Sequence, residues 1–356
     1  MNSTEWLRFF LMASLLTIRL LTPLILLPLA ITASACASVV LDEQSAEVGT
    51  NPARRSSPDV PVIPPGGTVG DQAIVFHILG IAQDGAVPHL GCQKSCCRTA
   101  RERGIRLGPA CAAVVDLSSG RKMLLEATPM IEEQLARLPA AADPRLPVDR
   151  VLLTHGHVGH YAGLIQLGRE VASSREIPVN CTQRMADYLR ENGPWSQLVQ
   201  LRQIVPIPAT PGQRMKIPEI PGLSITAIPV THRGEFTDTV AWKIHGPGKT
   251  VVFCPDVDRW IPEQLRELLH EADVCYLDAT FYDGRELPGR DLSEIPHPPM
   301  VVTMELLKEQ ARACPGKFRF IHLNHTNPAL FDEVIRDEIL SRGFAVAETN
   351  ELVRLD

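Results

Sequence analysis

The chain has 356 residues, 45% hydrophobic and 21% charged, which suits one sizeable globular domain or two small ones with a real core. A formal net charge of −6 leaves no basic footprint for nucleic acid, and an aromatic content of 5% leaves no stacking platform for single strands. The expected partner is a small-molecule substrate.

The N-terminus differs from the rest. Trp6-Leu7-Arg8 lead into Phe9-Phe10-Leu11-Met12, Arg19 interrupts, and residues 20–31 are almost wholly apolar before Ala33-Ser34-Ala35-Cys36. A charged start, an apolar stretch and a small-residue site form the pattern of a secretory signal over residues 1–35. Cleavage after Ala35 would leave Cys36 first, which resembles a bacterial lipoprotein, although Ala33 stands where such signals prefer leucine. The expected location is outside the cytoplasm, periplasmic or held at the membrane by a lipid. An uncleaved anchor is the alternative, with Arg19 and Pro23 arguing against a clean span. Residues 36–72 carry five prolines and Gly66-Gly67 without apolar periodicity, and read as a disordered tether. The folded domain is expected over 73–356, and no internal repeat is evident.

Residues 73–79 read as the first strand of that domain. They run into a long loop punctuated by glycine and proline, the kind that carries function rather than a tight turn. The loop ends in Cys92-Gln93-Lys94-Ser95-Cys96-Cys97. Nine cysteines in an exported chain usually mean disulfides. Three packed this tightly suit zinc-bound thiolates better than a relaxed disulfide set. Two adjacent cysteines rarely both aim inward, so one of the pair is open to being a packed thiol. Residues 111–117 and 122–125 read as strands about the turn Ser118-Ser119-Gly120-Arg121, and a helix opens at Ile131.

Next comes Val151-Leu152-Leu153, an apolar run that reads as a buried strand, followed by Thr154-His155-Gly156-His157-Val158-Gly159-His160. Three of the eleven histidines fall within six positions at a strand end. Histidine is the commonest metal ligand, and the cluster points to metal. The later segments repeat the pattern of a strand that ends in a possible ligand. Residues 223–230 deliver His232 and residues 250–254 deliver Asp256 and Asp258, while residues 272–277 lead to a further strand-end loop, Asp278-Ala279-Thr280. His297 lies among Pro296, Pro298 and Pro299 before a helix expected over 302–312. The last motif is Phe318-Arg319-Phe320-Ile321-His322-Leu323-Asn324-His325.

The run at 154–160 resembles the T-H-x-H-x-D-H signature of the metallo-β-lactamase fold, except that Gly159 stands in place of the metal-binding aspartate. Within that superfamily, the segments around Glu126, Gly163, Asp238 and His322 resemble those of coenzyme PQQ synthesis protein B. The cysteine loop resembles both that group and the phosphonate-pathway phosphodiesterase that acts on cyclic ribose phosphates. Those groups favour C-x-C-x-x-C, so Cys96 is displaced here. The resemblance implies an αββα sandwich with every ligand at a strand end.

It also implies two metal positions. The first would take His155, His157 and His232 with Asp256, and keep a position open, as catalytic zinc sites do. The second would take His160, His322 and the shared Asp256. For want of a carboxylate at residue 159 it would bind more weakly, with Asp84, Asp258 or Glu235 as substitutes, or it would hold no ion at all. His325 would join Cys92, Cys96 and Cys97 at a structural zinc, with the reverse assignment of His322 and His325 as the alternative. His297 would serve as an acid or phosphate contact, against the reading of a surface-loop histidine. Asp256 and His297 are thus the expected catalytic residues. The cofactors expected are one firmly held zinc, an optional second ion, iron or manganese as alternatives, and the structural zinc. The function expected is hydrolysis of a phosphodiester or other ester by metal-activated water. The alternatives are an iron-dependent oxidase or hydroxylase of a PQQ-type pathway, or a non-catalytic metal-binding protein. A homodimer is left open.

Overall fold

The computed structural model describes residues 62–63, 73–141, 143–291 and 295–356. The leader expected over 1–35 lies outside the described residues, and so does most of the segment read as a tether. Among the described residues no helix is long and apolar enough to cross a membrane.

In chain order the strands are β1 (Val62–Ile63), β2 (Ile74–Gly80), β3 (Cys111–Asp116), β4 (Arg121–Leu125), β5 (Arg150–Leu152), β6 (Ile177–Cys181), β7 (Ile204–Pro208), β8 (Met215–Lys216), β9 (Ser224–Pro229), β10 (Val240–His245), β11 (Thr250–Cys254), β12 (Val274–Asp278), β13 (Phe318–Ile321), β14 (Ala345–Val346) and β15 (Leu352–Arg354). Between them run the helices α1 (Ser95–Glu102), α2 (Ile131–Leu135), α3 (Val158–Tyr161), α4 (Gln183–Glu191), α5 (Trp195–Gln200), α6 (Pro262–Leu269), α7 (Met300–Leu306), α8 (Lys308–Ala313) and α9 (Glu333–Ser341). The single helix expected over 302–312 is in fact two, α7 and α8, separated at Leu307.

Among the described residues one sheet has the order β1-β15-β2-β3-β4-β5-β6-β7 and the other β14-β13-β12-β11-β10-β9-β8. The strands form because their residues alternate between two buried faces. In β3, Ala112 and Val114 face the layer between the sheets, while Cys111, Ala113 and Val115 face the helices. In β11, Val251 and Phe253 point inward, and Val252 and Cys254 point toward the helical layer. The inter-sheet layer holds Phe76, Phe253, Tyr276 and Trp242, with the rings of Phe76 and Tyr276 stacked at 5.4 Å. Full burial of such a side chain contributes roughly 1.5–3 kcal/mol. Helix, sheet, sheet and helix therefore lie in four layers, an αββα sandwich.

Strand direction places the site. Within the first sheet β2, β4 and β5 run the same way, because β2 and β4 are each antiparallel to β3 and β5 is parallel to β4. Within the second sheet β9, β11, β12 and β13 share one direction by the same logic. Their C-terminal ends release Asp84, Glu126, His155, His232, Asp256, Asp278 and His322. The buried pair Arg319 and Glu351, joined by two bonds of 3.0 and 2.6 Å, ties β13 of the second sheet to the segment entering β15 of the first. Trp242 of β10 donates its indole N–H to the Leu153 carbonyl at 3.0 Å, holding the histidine run against the opposite sheet.

Candidate metal centre

The chain leaving β5 turns sharply at Thr154-His155-Gly156. Gly156 is needed for space, since a Cβ there would lie 2.8 Å from Thr237 Cγ2. Its amide donates to Thr237 Oγ1 at 2.8 Å. The turn brings His155 Nε2 within 2.8 Å of His157 Nδ1, and the loop after β9 brings His232 Nε2 within 3.2 Å of the same atom. The opposite nitrogens are all engaged. His155 Nδ1 meets Thr154 Oγ1 at 2.9 Å, His157 Nε2 meets Glu235 at 3.0 Å, and His232 Nδ1 meets Asp258 at 2.8 Å. The two carboxylates hold the ring protons on the outer nitrogens, which leaves lone pairs on the converging ones. Burial, with His160 adding to it, pulls the His155 pKa well below its usual value, and burial lowers His232 too, so both favour the neutral, ligating form.

Asp256, at the end of β11 and only 3% exposed, lies between this trio and a second group. Its Oδ2 is 3.7 Å from His155 Nε2, 2.9 Å from His160 Nε2 and 3.5 Å from His322 Nε2. Asp84 Oδ1 completes the second group at 3.1 Å from His160 Nε2 and 3.3 Å from His322 Nε2. His322 is held at φ +66°, a left-handed backbone that a residue with a Cβ adopts at a cost of roughly 1–3 kcal/mol. Burial works against charge on Asp256, but His322, His160 and His155 hold its carboxyl well below the usual range. Burial likewise opposes a proton on His160, yet Asp256, Asp84 and Glu126 outweigh it and raise its pKa well above normal. The same carboxylates favour a metal cation in that place.

Two observations test whether these residues fit an ion. Ligands about 2.0–2.1 Å from a tetrahedral zinc are separated by about 3.3–3.4 Å; the imidazole–carboxylate spacings of the second group are 2.9, 3.1, 3.3 and 3.5 Å, and Asp84, His160 and His322 gather within 4.8 Å of one another, as do His155, His160 and Asp256. Moreover His160 Nε2 and Asp256 Oδ2 are buried and, among the described residues, neither makes an aligned hydrogen bond, although they face each other. Buried polar atoms rarely go unpaired, and a shared cation satisfies both. The residues fit a metal.

Around this centre the sequence candidates separate. Asp258 and Glu235, open as substitutes for the second position, instead brace the outer nitrogens of the first. His297, open as a surface-loop residue, is 7% exposed. Its Nδ1 lies 2.7 Å from Asp278 Oδ2, 3.1 Å from Thr280 Oγ1 and 3.7 Å from Asp256 Oδ1. Glu126, Asp278 and Thr280 were not singled out as site residues from sequence. Glu126 is fully buried at φ +69°, with Oε1 3.7 Å from His160 Nδ1. Asp278 receives the Val257 amide and the Thr280 hydroxyl, at 3.0 and 2.8 Å. The signal that could have found both acids is the one that marked Asp256, an apolar strand ending in a carboxylate.

The cysteine cluster is a separate place. Cys92, Cys96, Cys97 and His325 bring four donor atoms within 4.8 Å of one another. All three thiols take part in the grouping, so neither of the adjacent pair is merely packed elsewhere. No disulfide joins them. Burial, with Cys92 and Cys96 nearby, pushes Cys97 up to about 11, and a bound cation would favour its thiolate. Burial and the neighbouring His89 lower His325 to about 4, the neutral form, and its Nδ1 has no hydrogen-bond partner among the described residues. His322 and His325 thus lie in different clusters, His322 beside Asp84 and His160 and His325 beside the cysteines.

Known proteins agree with this architecture. The beta-lactamase superfamily domain is matched over residues 121–323. That span holds the first trio, His160, Asp256 and His322, but neither Asp84 nor the cysteine cluster. Coenzyme PQQ synthesis protein B of Methylobacterium sp. (strain 4-46) is 28% identical over 298 residues, covering 76% of this chain and 96% of that protein. Its counterpart in Pseudomonas aeruginosa (strain UCBPP-PA14) is 27% identical over 307 residues, covering 76% and 97%. Among solved structures, Zn(2+)-bound PqqB from Methylobacterium extorquens superposes with a TM-score of 0.66 at 22% identity, over 78% of this chain and 99% of that one. A diphosphatase of the PhnP family superposes with a TM-score of 0.59 at 18% identity, over 79% and 98%. At those identities the two structures speak for the fold. With more than half of its length matched by the domain and the αββα sandwich in place, the chain belongs to the metallo-β-lactamase superfamily.

Proposed function

We propose that this chain is a metal-dependent hydrolase acting on a phosphodiester or related ester. The observation that carries the reading is the placing of Asp256 between two convergent donor sets, with the buried His297 beside it. Bound there, a divalent ion lowers the pKa of water toward about 7 and polarises a phosphoryl or carbonyl oxygen. The protein's own residues supply the rest. Burial opposes charge on His297, but Asp278, Asp256 and Asp258 outweigh it, and its pKa is pushed up to about 9. It is then protonated at neutral pH, with Nδ1–H donated to Asp278 and the other ring nitrogen left to protonate a leaving oxygen. A cavity of about 560 Å3 opens beside it, with Asp258, Arg259, Trp260 and Pro298 in its walls. That volume suits a small molecule. Exposed Arg259 offers a positive charge to an anionic group, which favours a phosphodiester over a neutral ester.

An oxygen-dependent enzyme is the second reading. It is supported by the similarity to coenzyme PQQ synthesis protein B and by a donor set of histidines and carboxylates that also suits Fe(II). One experiment separates the two. The protein is loaded with zinc, manganese or Fe(II) and assayed on bis(4-nitrophenyl) phosphate, carboxylic ester, thioester and lactam substrates, with oxygen uptake followed in parallel. The hydrolase reading expects phosphodiester turnover that falls by about 100-fold or more in His297→Ala, in the range for loss of a general acid. Oxygen uptake with Fe(II), and no hydrolysis with any metal, overturns it.

A further inference from the structure

Gly159 is where this chain departs from the superfamily signature, and its surroundings explain the departure. Glycine is not required there by the backbone, because residue 159 lies within α3 and has no left-handed φ. It is required by space. A Cβ on residue 159 would stand 2.2 Å from Asp84 Oδ1, 2.3 Å from its Cγ and 2.7 Å from its Cβ. The Asp84 carboxylate fills the volume into which a side chain at 159 would project. It comes from the loop after β2, 75 residues earlier in the chain.

We propose that Asp84 is the carboxylate ligand of the second metal position, exchanged for the one missing at residue 159, so that this position has a full set of four donors rather than a depleted one. The donors are His160 Nε2, His322 Nε2, Asp256 Oδ2 and Asp84 Oδ1, and the four spacings between imidazoles and carboxylates run from 2.9 to 3.5 Å. The proposal rests on the reading of the site as a metal centre and is independent of what is hydrolysed. It also links two regions. The Asp84 loop is paired by its backbone with the segment that carries His322, through Leu323 N to Ile81 O at 2.9 Å and Gln83 N to Leu323 O at 2.8 Å. Both segments end in the cysteine cluster, at Cys92 and His325. Two of the four donors thus ride on a pair of strands' extensions that the cluster closes.

The test counts ions. Full-length protein is reconstituted with zinc, freed of excess by gel filtration and analysed by plasma mass spectrometry. Cobalt(II) absorption and thermal unfolding are recorded on the same variants. Wild type is expected to hold about three ions per chain, two at the centre and one at the cysteine cluster. Asp84→Ala and Asp84→Asn are expected to hold about two, with the second ion's affinity lowered by more than about 100-fold, beyond the range typical of a residue acting through another ligand. Gly159→Ala is expected to do the same by displacing Asp84. The double variant Asp84→Gly with Gly159→Asp is expected to regain the third ion. Three ions in both Asp84 variants, with only the unfolding temperature of metal-free protein changed, would make Asp84 a structural partner of the histidines and overturn the proposal. A folded double variant that fails to regain the ion overturns the exchange of one carboxylate for the other. Wild type holding only the first-position and cluster ions overturns it too. Wild type holding the cluster ion alone overturns instead the reading of the whole centre as a metal site.

Discussion

The candidate metal positions share Asp256 and otherwise differ in how they are built. The first takes His155 and His157 from one turn after β5 and His232 from the turn after β9. Each outer nitrogen is engaged, by Thr154, Glu235 or Asp258. The second draws its four donors from four separate segments. Among the described residues its His160 ring nitrogens and Asp256 Oδ2 lack hydrogen-bond partners, and His322 is held in a left-handed conformation. The first is preorganised by side-chain hydrogen bonds close around it. The second is held by strained backbone and by the pairing of distant loops. The first should therefore respond to changes near it, and the second to changes far away.

The largest effect should follow His157→Ala. His157 Nδ1 is the atom nearest both other ring nitrogens of the trio, at 2.8 and 3.2 Å. Its loss should weaken the first ion by more than about 100-fold, with the second ion's affinity changed by only a few fold, as read by competition with a chromogenic chelator. Simultaneous loss of both ions would show one cooperative site and dissolve the comparison. A smaller effect should follow Asp258→Ala. It leaves all donors in place but frees His232 Nδ1, and an orienting carboxylate of this kind is worth about 10–100-fold in metal affinity. If the second ion weakened more than the first, Asp258 would be acting on the other position.

The contrast also explains what could be read from sequence. His155, His157 and His232 stand directly after apolar strands, so local pattern marks them. Asp84 could be named only as one of three acids able to fill in for residue 159, because the contact that selects it spans the chain and follows from how β2 and β5 lie in one sheet. Asp258 and Glu235 were plausible for the same reason, and only the folded geometry sends them to the outer nitrogens of the first trio. Glu126 and Asp278 carried the same signal as Asp256, but nothing in a strand-then-acid pattern tells a ligand from a residue that braces one. Elsewhere β7 carries Pro206 and Pro208, residues that argue against a central strand. It lies at the edge of its sheet, where a strand tolerates the missing amides. The pairing of Val62–Ile63 with β15, within the segment read as a tether, likewise depends on a partner at the other end of the chain.

The smallest effect, and the sharpest for the comparison, should come from Cys97→Ala. Cys97 is the buried member of the cysteine cluster, and its sulfur accepts the His89 amide at 3.2 Å. It touches neither candidate catalytic position. Removing it should cost the cluster its ion and loosen the loop that carries Asp84 together with the segment that carries His322. The first position draws on neither of those segments. The expected result is a fall of about 10-fold in the second ion's affinity, the lower end for a supporting residue, with the first ion's affinity unchanged. Ion affinities should be measured below the variant's own unfolding temperature, so that loss of fold is not mistaken for loss of coupling. Equal weakening of both ions would mean that the cluster supports the domain as a whole. No change at either ion would mean that the backbone pairing of Ile81 and Gln83 with Leu323 holds Asp84 in place without it.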